Sequence, residues 1–322
     1  MRFALMIEPQ QGLSYDEQLA VARTAEDGGF EALLRSDHYA SFPGEGGLPT
    51  TDAWTVIAGL ARETSRIRLG ALVSPVTFRV PGALAKVVAT ADEMSGGRVE
   101  VGLGAGWNEL EHAELGIPFP PLRERFDRLE EALAIVHGLW TEPDGWAHEG
   151  RFWQVRGARF RPRPIFGQRR HPHLIVGGHG KPRGLRLAAT YADEYNLTSA
   201  RPEAAHDVFG RLEAACVAAG RDPGQVVRSA MAGVLVGESE GDVRDLVRAQ
   251  TAFIGLDAAG AEAWLAARRE RWIMGTPEQA LERIEAFARA GVERLALQDF
   301  LPRDLAMIRL IAGRVLPQGA AL

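Results

Sequence analysis

The sequence predicts a closed (β/α)8 barrel with insertions, of the TIM type, in the α/β class. Three observations carry this. Eight short runs rich in Val, Ile, Leu and Phe read as buried strands, and helix-spaced stretches separate them. The count of eight matches a barrel better than its competitor, an open doubly wound sheet. No glycine-rich dinucleotide turn follows the first run, where Glu8-Pro9-Gln10-Gln11-Gly12 stands instead.

The strand-like runs are Phe3–Ile7, Ala32–Arg35, Ile67–Val73, Val99–Leu103, His173–Val176, Glu194–Leu197, Val226–Val236 and Arg294–Gln298. Helical spacing is clearest over Leu122–Trp140, where Leu122, Phe126, Leu129, Leu133, Val136 and Trp140 recur at steps of three or four. Ser14–Gly28, Asp52–Glu63, Pro81–Met94, Pro182–Ala192, Pro202–Gly220 and Pro277–Ala290 read likewise. Several open on proline, whose missing N–H is harmless in a first turn, and two close on glycine, at Gly28-Gly29 and Gly291. Two segments exceed a minimal barrel. Residues 141–161 carry Trp146, Phe152, Trp153, Val155 and Phe160 between turn residues and predict a hairpin; residues 237–272 are Ala-rich and predict helix, a lid or a dimer element. With no linker, repeat or low-complexity tract, residues 1–322 read as one elaborated domain.

Composition narrows the function. The 322 residues are 46% hydrophobic and 25% charged, which argues against intrinsic disorder. Lys and Arg total 37 against 42 Asp and Glu, so the formal charge of −5 disfavours a phosphate backbone as partner. No run of 18 apolar residues is present, and no targeting segment is visible, so the expected compartment is the cytoplasm, with no membrane association. A lone Cys216, in an apolar helical run, excludes an intramolecular disulfide and reads as a packing residue.

Barrel chemistry gathers at the C-terminal strand ends. Those ends carry Glu8-Pro9-Gln10, Ser36-Asp37-His38, Val73-Ser74-Pro75, Gly104 to Glu109, Gly177-Gly178-His179-Gly180, Thr198-Ser199 and Gln298-Asp299. Asp37-His38 is the sharpest pair: an imidazole at a strand end can move a proton beside a reacting centre, and an adjacent carboxylate can support it. The plainer alternative is a loop histidine. His112, His137 and His206 fall in helical stretches and read as surface or packing residues. His171 and His173 lack metal-ligand spacing, and no metal is expected. Gly177–Gly180, ahead of a helix opening at Pro182 and flanked by Lys181 and Arg183, suits a phosphate as well as it suits a tight βα turn. Gly104-Ala105-Gly106-Trp107-Asn108 would let a flat ligand approach the backbone, or is simply a close-packed loop. Arg123, Glu124, Arg125 and Asp127 read as a solvated helix face.

In this order the segments resemble the bacterial luciferase-like superfamily, and within it the branch that uses the deazaflavin coenzyme F420. The carrying residues are Ser36-Asp37-His38, Leu69 to Arg79, Ser95-Gly96-Gly97-Arg98 leading into Gly102 to Glu109, and Gly116 to Phe126. Ile175 to Gly180, Ala192 to Asn196 and Gly275 to Gln279 complete the set, over nearly the whole length. The resemblance implies an oxidoreductase and a homodimer. The coenzyme ring would lie over the strand ends with its phosphate near Gly177, Gly178, His179 and Gly180. Asp37 would contact the ring system, His38 would act as acid or base, and Ser74 and Asn108 would contact the coenzyme. A non-proline cis peptide behind the ring would fall at Leu72-Val73. Some sugar-phosphate dehydrogenases of this branch carry a catalytic Glu where this chain has Trp107; that role is not transferred to Glu109, and Trp107 would make an apolar wall.

The expected activity is hydride transfer between F420 and a small organic molecule, with the cofactor supplying the redox chemistry. Its alternative within the superfamily is an FMN-dependent monooxygenase, which activates oxygen through a flavin peroxide that a deazaflavin does not readily form. A non-catalytic flavin-binding protein is the alternative of another class. Substrate choice would rest on loops 39–51, 141–161 and 237–272.

Overall fold

The computed structural model describes residues 1–42, 46–165 and 171–322, with Ala258 described by its backbone alone. Eight parallel strands close into a barrel: β1 (Arg2–Ile7), β2 (Ala32–Arg35), β3 (Arg68–Pro75), β4 (Val99–Gly104), β7 (His173–Gly178), β8 (Glu194–Leu197), β9 (Val227–Val236) and β11 (Arg294–Asp299). Closure comes from β11 pairing with β1 on one side and with β9 on the other, and from β9 pairing with β8. All eight predicted strands are present, within a residue or two at their ends. The segment at 141–161 holds the antiparallel hairpin β5 (Trp146–Glu149) and β6 (Gln154–Ala158). Residues 237–272 hold α8 (Glu240–Phe253) and α9 (Ala258–Arg268), and a short strand, β10 (Ile273–Gly275), then runs beside β9.

The helices α1 (Tyr15–Asp27), α2 (Ala53–Glu63), α3 (Pro81–Ser95), α5 (Leu122–Thr141), α6 (Pro182–Tyr191), α7 (Pro202–Ala218) and α10 (Pro277–Arg289) follow the predicted spans. Their starts are chemically marked. Ser14 with Glu17 and Thr276 with Gln279 form reciprocal capping boxes, and proline opens α3, α6, α7 and α10. The α5 stripe is buried from Leu129 to Trp140, whereas Leu122 faces water. Arg125, expected on the solvated face, is buried; its guanidinium lies 3.9 Å from the Phe119 ring and donates to the Pro120 carbonyl at 2.6 Å. Cys216 is fully buried, and burial pushes its thiol up.

Alternation of side chains splits the core in two. Outward strand residues and the helices form the large cluster, which includes Phe3, Leu5, Ile7, Leu295 and Leu297. Inside the barrel a small cluster joins Ala4, Met6, Ala32, Leu34, Leu72, Ile175, Met231 and Ala296. Beneath it, at the N-terminal strand ends, Arg294 is 2.8 Å from Glu100 and 2.9 Å from Glu194, and His173 is 2.8 Å from Glu194. Burial would push these carboxyls up, but the Arg294 guanidinium and His173 hold both below the usual carboxylate range. One end of the barrel is thus filled by ion pairs, and the predicted site residues stand at the other.

Candidate active site

The β3–β4 register slips between Ala71 and Ser74, and the Leu72–Val73 peptide within that slip is cis. The slip needs room. A Cβ on Gly102 would stand 2.5 Å from the Ala71 carbonyl oxygen, and one on Gly104 would stand 2.6 Å from a Val73 methyl. Gly177, across on β7, would meet Val73 at 2.9 Å. Gly102, Gly104 and Gly177 therefore make room for Val73.

The turn after β2 is fixed by buried Arg35, which donates to Gln18 (3.0 Å), to the Thr51 hydroxyl (3.2 Å) and carbonyl (2.9 Å), and to the Ser36 carbonyl (3.0 Å). Burial pulls its guanidinium down to about 10, against the pull of Asp37 and Asp52. Ser36 donates to Gln10 at 2.6 Å; Gln10 donates to Glu8 at 2.8 Å, and Gln298 reaches the other Glu8 oxygen at 2.5 Å. This chain of bonds floors the mouth across β2, β1 and β11.

Asp37 is 1% exposed and engaged within the protein: it accepts from Ser74 at 2.6 Å and from Arg79 at 2.5 Å. Ser74 in turn accepts from the Trp54 indole at 2.9 Å. Arg79 also pairs with Asp52 and donates to the Tyr39 hydroxyl at 2.7 Å, which donates to Asp52 at 2.7 Å. Burial works against the Asp52 carboxylate, but the Thr55 N–H, the Tyr39 hydroxyl and Arg79 hold its carboxyl well below the usual range. The predicted Asp37 and Ser74 thus lie side by side, with their polar atoms on protein partners; they tie the turn after β2 to the turn after β3.

The carboxylate at His38 is Glu111, not the adjacent Asp37. Glu111 lies in α4 (Glu109–Glu114), the short helix that holds His112, and is 1% exposed. Its oxygens stand 2.9 and 3.1 Å from His38 Nδ1 and accept the Tyr39 N–H at 2.9 Å. An ionised Glu111 makes Nδ1 the donor and leaves Nε2 as the reactive nitrogen. Among the described residues Nε2 has no hydrogen-bond partner. The ring meets Phe42 edge-on at 4.6 Å and Trp107 at 5.6 Å, and Trp107 is 64% exposed. Glu109 is exposed. Asn108 caps α4, its side-chain oxygen accepting from Leu110 N–H at 3.2 Å, and its carbonyl accepts from His112 Nδ1 at 2.6 Å. His112 is therefore packing, with Nε2 2.7 Å from Thr77. Glu111 was illegible because α4 is inverted: Leu110 faces water while Glu111 and His112 turn inward.

Beyond β7, Gly180 has φ +71°; its N–H donates to the Tyr195 hydroxyl at 2.7 Å and its carbonyl accepts from Arg211 at 2.8 Å. His179 is exposed, and Lys181 caps α6, whose first turn holds no acidic residue. Arg183 does not serve the turn: it pairs with Asp127 at 2.7 Å and Glu130 at 3.0 Å on α5. Among the described residues no His, Cys, Asp and Glu group is arranged to hold a metal, and no helix is long and apolar enough to cross a membrane. A cleft of about 1110 Å3 runs between α8, α11 (Leu305–Leu310) and the loop after β11, and none of the predicted site residues lines it.

Residues 1–294 match the family model for luciferase-like monooxygenases. The chain belongs to the luciferase-like monooxygenase family. It is 34% identical to an F420-dependent glucose-6-phosphate dehydrogenase of Microbacterium testaceum over 203 residues, 62% of this chain and 57% of that one. It is 30% identical to the pyrimidine monooxygenase RutA of Allorhizobium ampelinum over 222 residues, 66% of this chain and 58% of the relative. These matches span less than three fifths of each relative. The crystal structure of monooxygenase RslO1 from Streptomyces bottropensis superposes with a TM-score of 0.82 at 25% identity, covering 98% of this chain and 99% of that one. Luciferase-like relatives thus include both F420-dependent dehydrogenases and monooxygenases.

Proposed function

We propose that this chain is an F420-dependent oxidoreductase that transfers a hydride between the deazaflavin and a small organic substrate. The observation that carries the reading is His38: Nδ1 is tied to buried Glu111, while Nε2, which has no hydrogen-bond partner among the described residues, lies beside Phe42 and Trp107 at the strand ends. The residues present fit such a coenzyme. Lys181, exposed His179 and an α6 start free of acidic side chains suit its phosphate. The backbone at Leu72, Val73 and Ser74, together with Asn108, would border its ring, with Gly177 and Gly178 beside it, and Gly180, held by Tyr195 and Arg211, would keep the turn in shape. Asp37 and Arg79 hold that border in place. When bound, the deazaflavin supplies hydride chemistry. His38 Nε2 donates the proton that neutralises charge on an unsaturated substrate, or removes it from an alcohol in the reverse direction. Glu111, as the partner of Nδ1, fixes the tautomer and orientation of the ring.

His38→Ala should leave F420 affinity within about two-fold and slow coenzyme turnover by about 10²–10⁴-fold. Unchanged turnover would remove His38 from the mechanism. The monooxygenase relatives favour a second reading, with reduced FMN as coenzyme. Parallel fluorescence titrations separate the two: tight FMN binding with no F420 binding selects the second.

A further inference from the structure

The barrel has a second aromatic cluster at β9 and β11, which β1 separates from the strand that precedes His38. Met231 of β9 belongs to the barrel interior, and Gly233, two residues on, faces the same way. A Cβ on Gly233 would stand 2.2 Å from the Trp272 indole. The indole therefore covers the inner face of β9 beside Gln298, Gly233's partner on β11, the residue whose amide reaches Glu8 in the mouth floor. Trp272 is half-buried; it stacks on Phe300 with centroids 5.1 Å apart and planes 6° apart, and meets buried Trp264 edge-on at 5.1 Å.

Arg268 sits on this platform. Its guanidinium carbon lies 4.4 Å from the Trp264 ring centre and 5.6 Å from that of Trp272. Its hydrogen bond goes to the Trp264 carbonyl at 3.3 Å, and among the described residues no carboxylate pairs with it. Burial and the nearby Arg271 charge hold the guanidinium below its ordinary value. Arg271 itself bonds to the Ala267 carbonyl, at 3.3 and 3.0 Å, and likewise lacks a carboxylate among the described residues. In a chain with more acids than bases, a half-buried cation that no carboxylate pairs with among the described residues, above a flat aromatic surface, is suited to an incoming anion. The planar guanidinium matches a carboxylate bidentately, and the part of half-buried Trp272 that Gly233 and Phe300 leave uncovered gives a conjugated framework aromatic surface beside it.

We infer that Arg268, on the Trp264–Trp272 platform, makes this site selective for planar, conjugated carboxylates. The inference rests on the proposed function in placing the reacting substrate at this mouth. Calorimetric titration of the purified protein with cinnamate and with its neutral isostere cinnamamide tests it. Cinnamate should bind at least ten-fold more tightly than cinnamamide, and the margin should narrow as salt is raised. Arg268→Gln should bring the two affinities together, Trp272→Leu should weaken both ligands, and Arg269→Gln, a neighbouring exposed arginine, should change neither. Equal affinities in the unaltered protein, a preference that survives Arg268→Gln, or no binding of either ligand overturns the inference. The readout is binding, so it separates from the coenzyme question. A cinnamate preference abolished by Arg268→Gln, in a protein that binds no F420, upholds the receptor and refutes the proposed coenzyme. F420 turnover dependent on His38, with equal affinities for the two probes, refutes the receptor alone.

Discussion

Asp299, the last residue of β11, offers a test of the structure through its pH dependence. It is fully buried; one carboxyl oxygen accepts the Leu301 N–H at 2.7 Å, and Oδ2 has no partner among the described residues. Burial pushes its carboxyl from the ordinary 3.8 up to about 7, with the Leu301 N–H opposing and Asp304 adding to the rise. Because the folded value is raised, the folded chain holds this proton more tightly than the unfolded chain. Below pH 3.8 both states are protonated and the group is neutral in effect. Between 3.8 and about 7 the unfolded chain has already lost its proton, so stability falls as pH rises. The interval is a little over three pH units; at about 1.4 kcal/mol for each, ionising Asp299 costs about 4 kcal/mol by pH 8. Asp299→Asn keeps the acceptor for Leu301 and cannot ionise. Urea unfolding of both proteins from pH 4 to 8 should therefore show the variant gaining on the original by about 4 kcal/mol, most of it between pH 5 and 7. All other titrating groups cancel in the difference. A difference that stays level across this range refutes the buried, unpaired placement of Asp299.

Other outcomes follow from the same fold. Arg294→Met strands Glu100 and Glu194 inside the barrel and should lower stability by about 3–5 kcal/mol in denaturant unfolding, with partial recovery on adding Glu100→Gln; a loss under about 1 kcal/mol contradicts the buried network. Gly102→Ala drives a methyl against the Ala71 carbonyl and Val73 and should cost about 1–3 kcal/mol by the same measurement, whereas a variant as stable as the original would mean that the slip between β3 and β4 tolerates a side chain. Glu111→Gln removes the charge behind His38 and should slow F420 turnover by about 10–100-fold while leaving coenzyme affinity alone; full activity would make Glu111 structural only.

Periodicity was enough to place the barrel. Each strand is a short apolar run, and each main helix starts with a local cap or proline, so the signals lie within a few residues of one another. His38 and the glycine turn at Gly177–Gly180 were legible for the same reason: strand ends locate them once the strands are known. Residue chemistry was harder to assign. Asp37 borders His38 in sequence, yet successive side chains diverge, and Asp37 turns to Ser74 and Arg79. Arg183 follows the glycine turn but is drawn to α5 by Asp127 and Glu130.

The sequence by itself determined the order of strands and helices and the strand end at which His38 stands, because these depend on spacing and on local caps. Only the tertiary structure decided which carboxylate serves that imidazole, why Gly102 and Gly104 are glycine, and that Trp272 covers Gly233. Each of these joins residues far apart in the chain, and contact between such residues depends on barrel closure and on which face of each element turns inward.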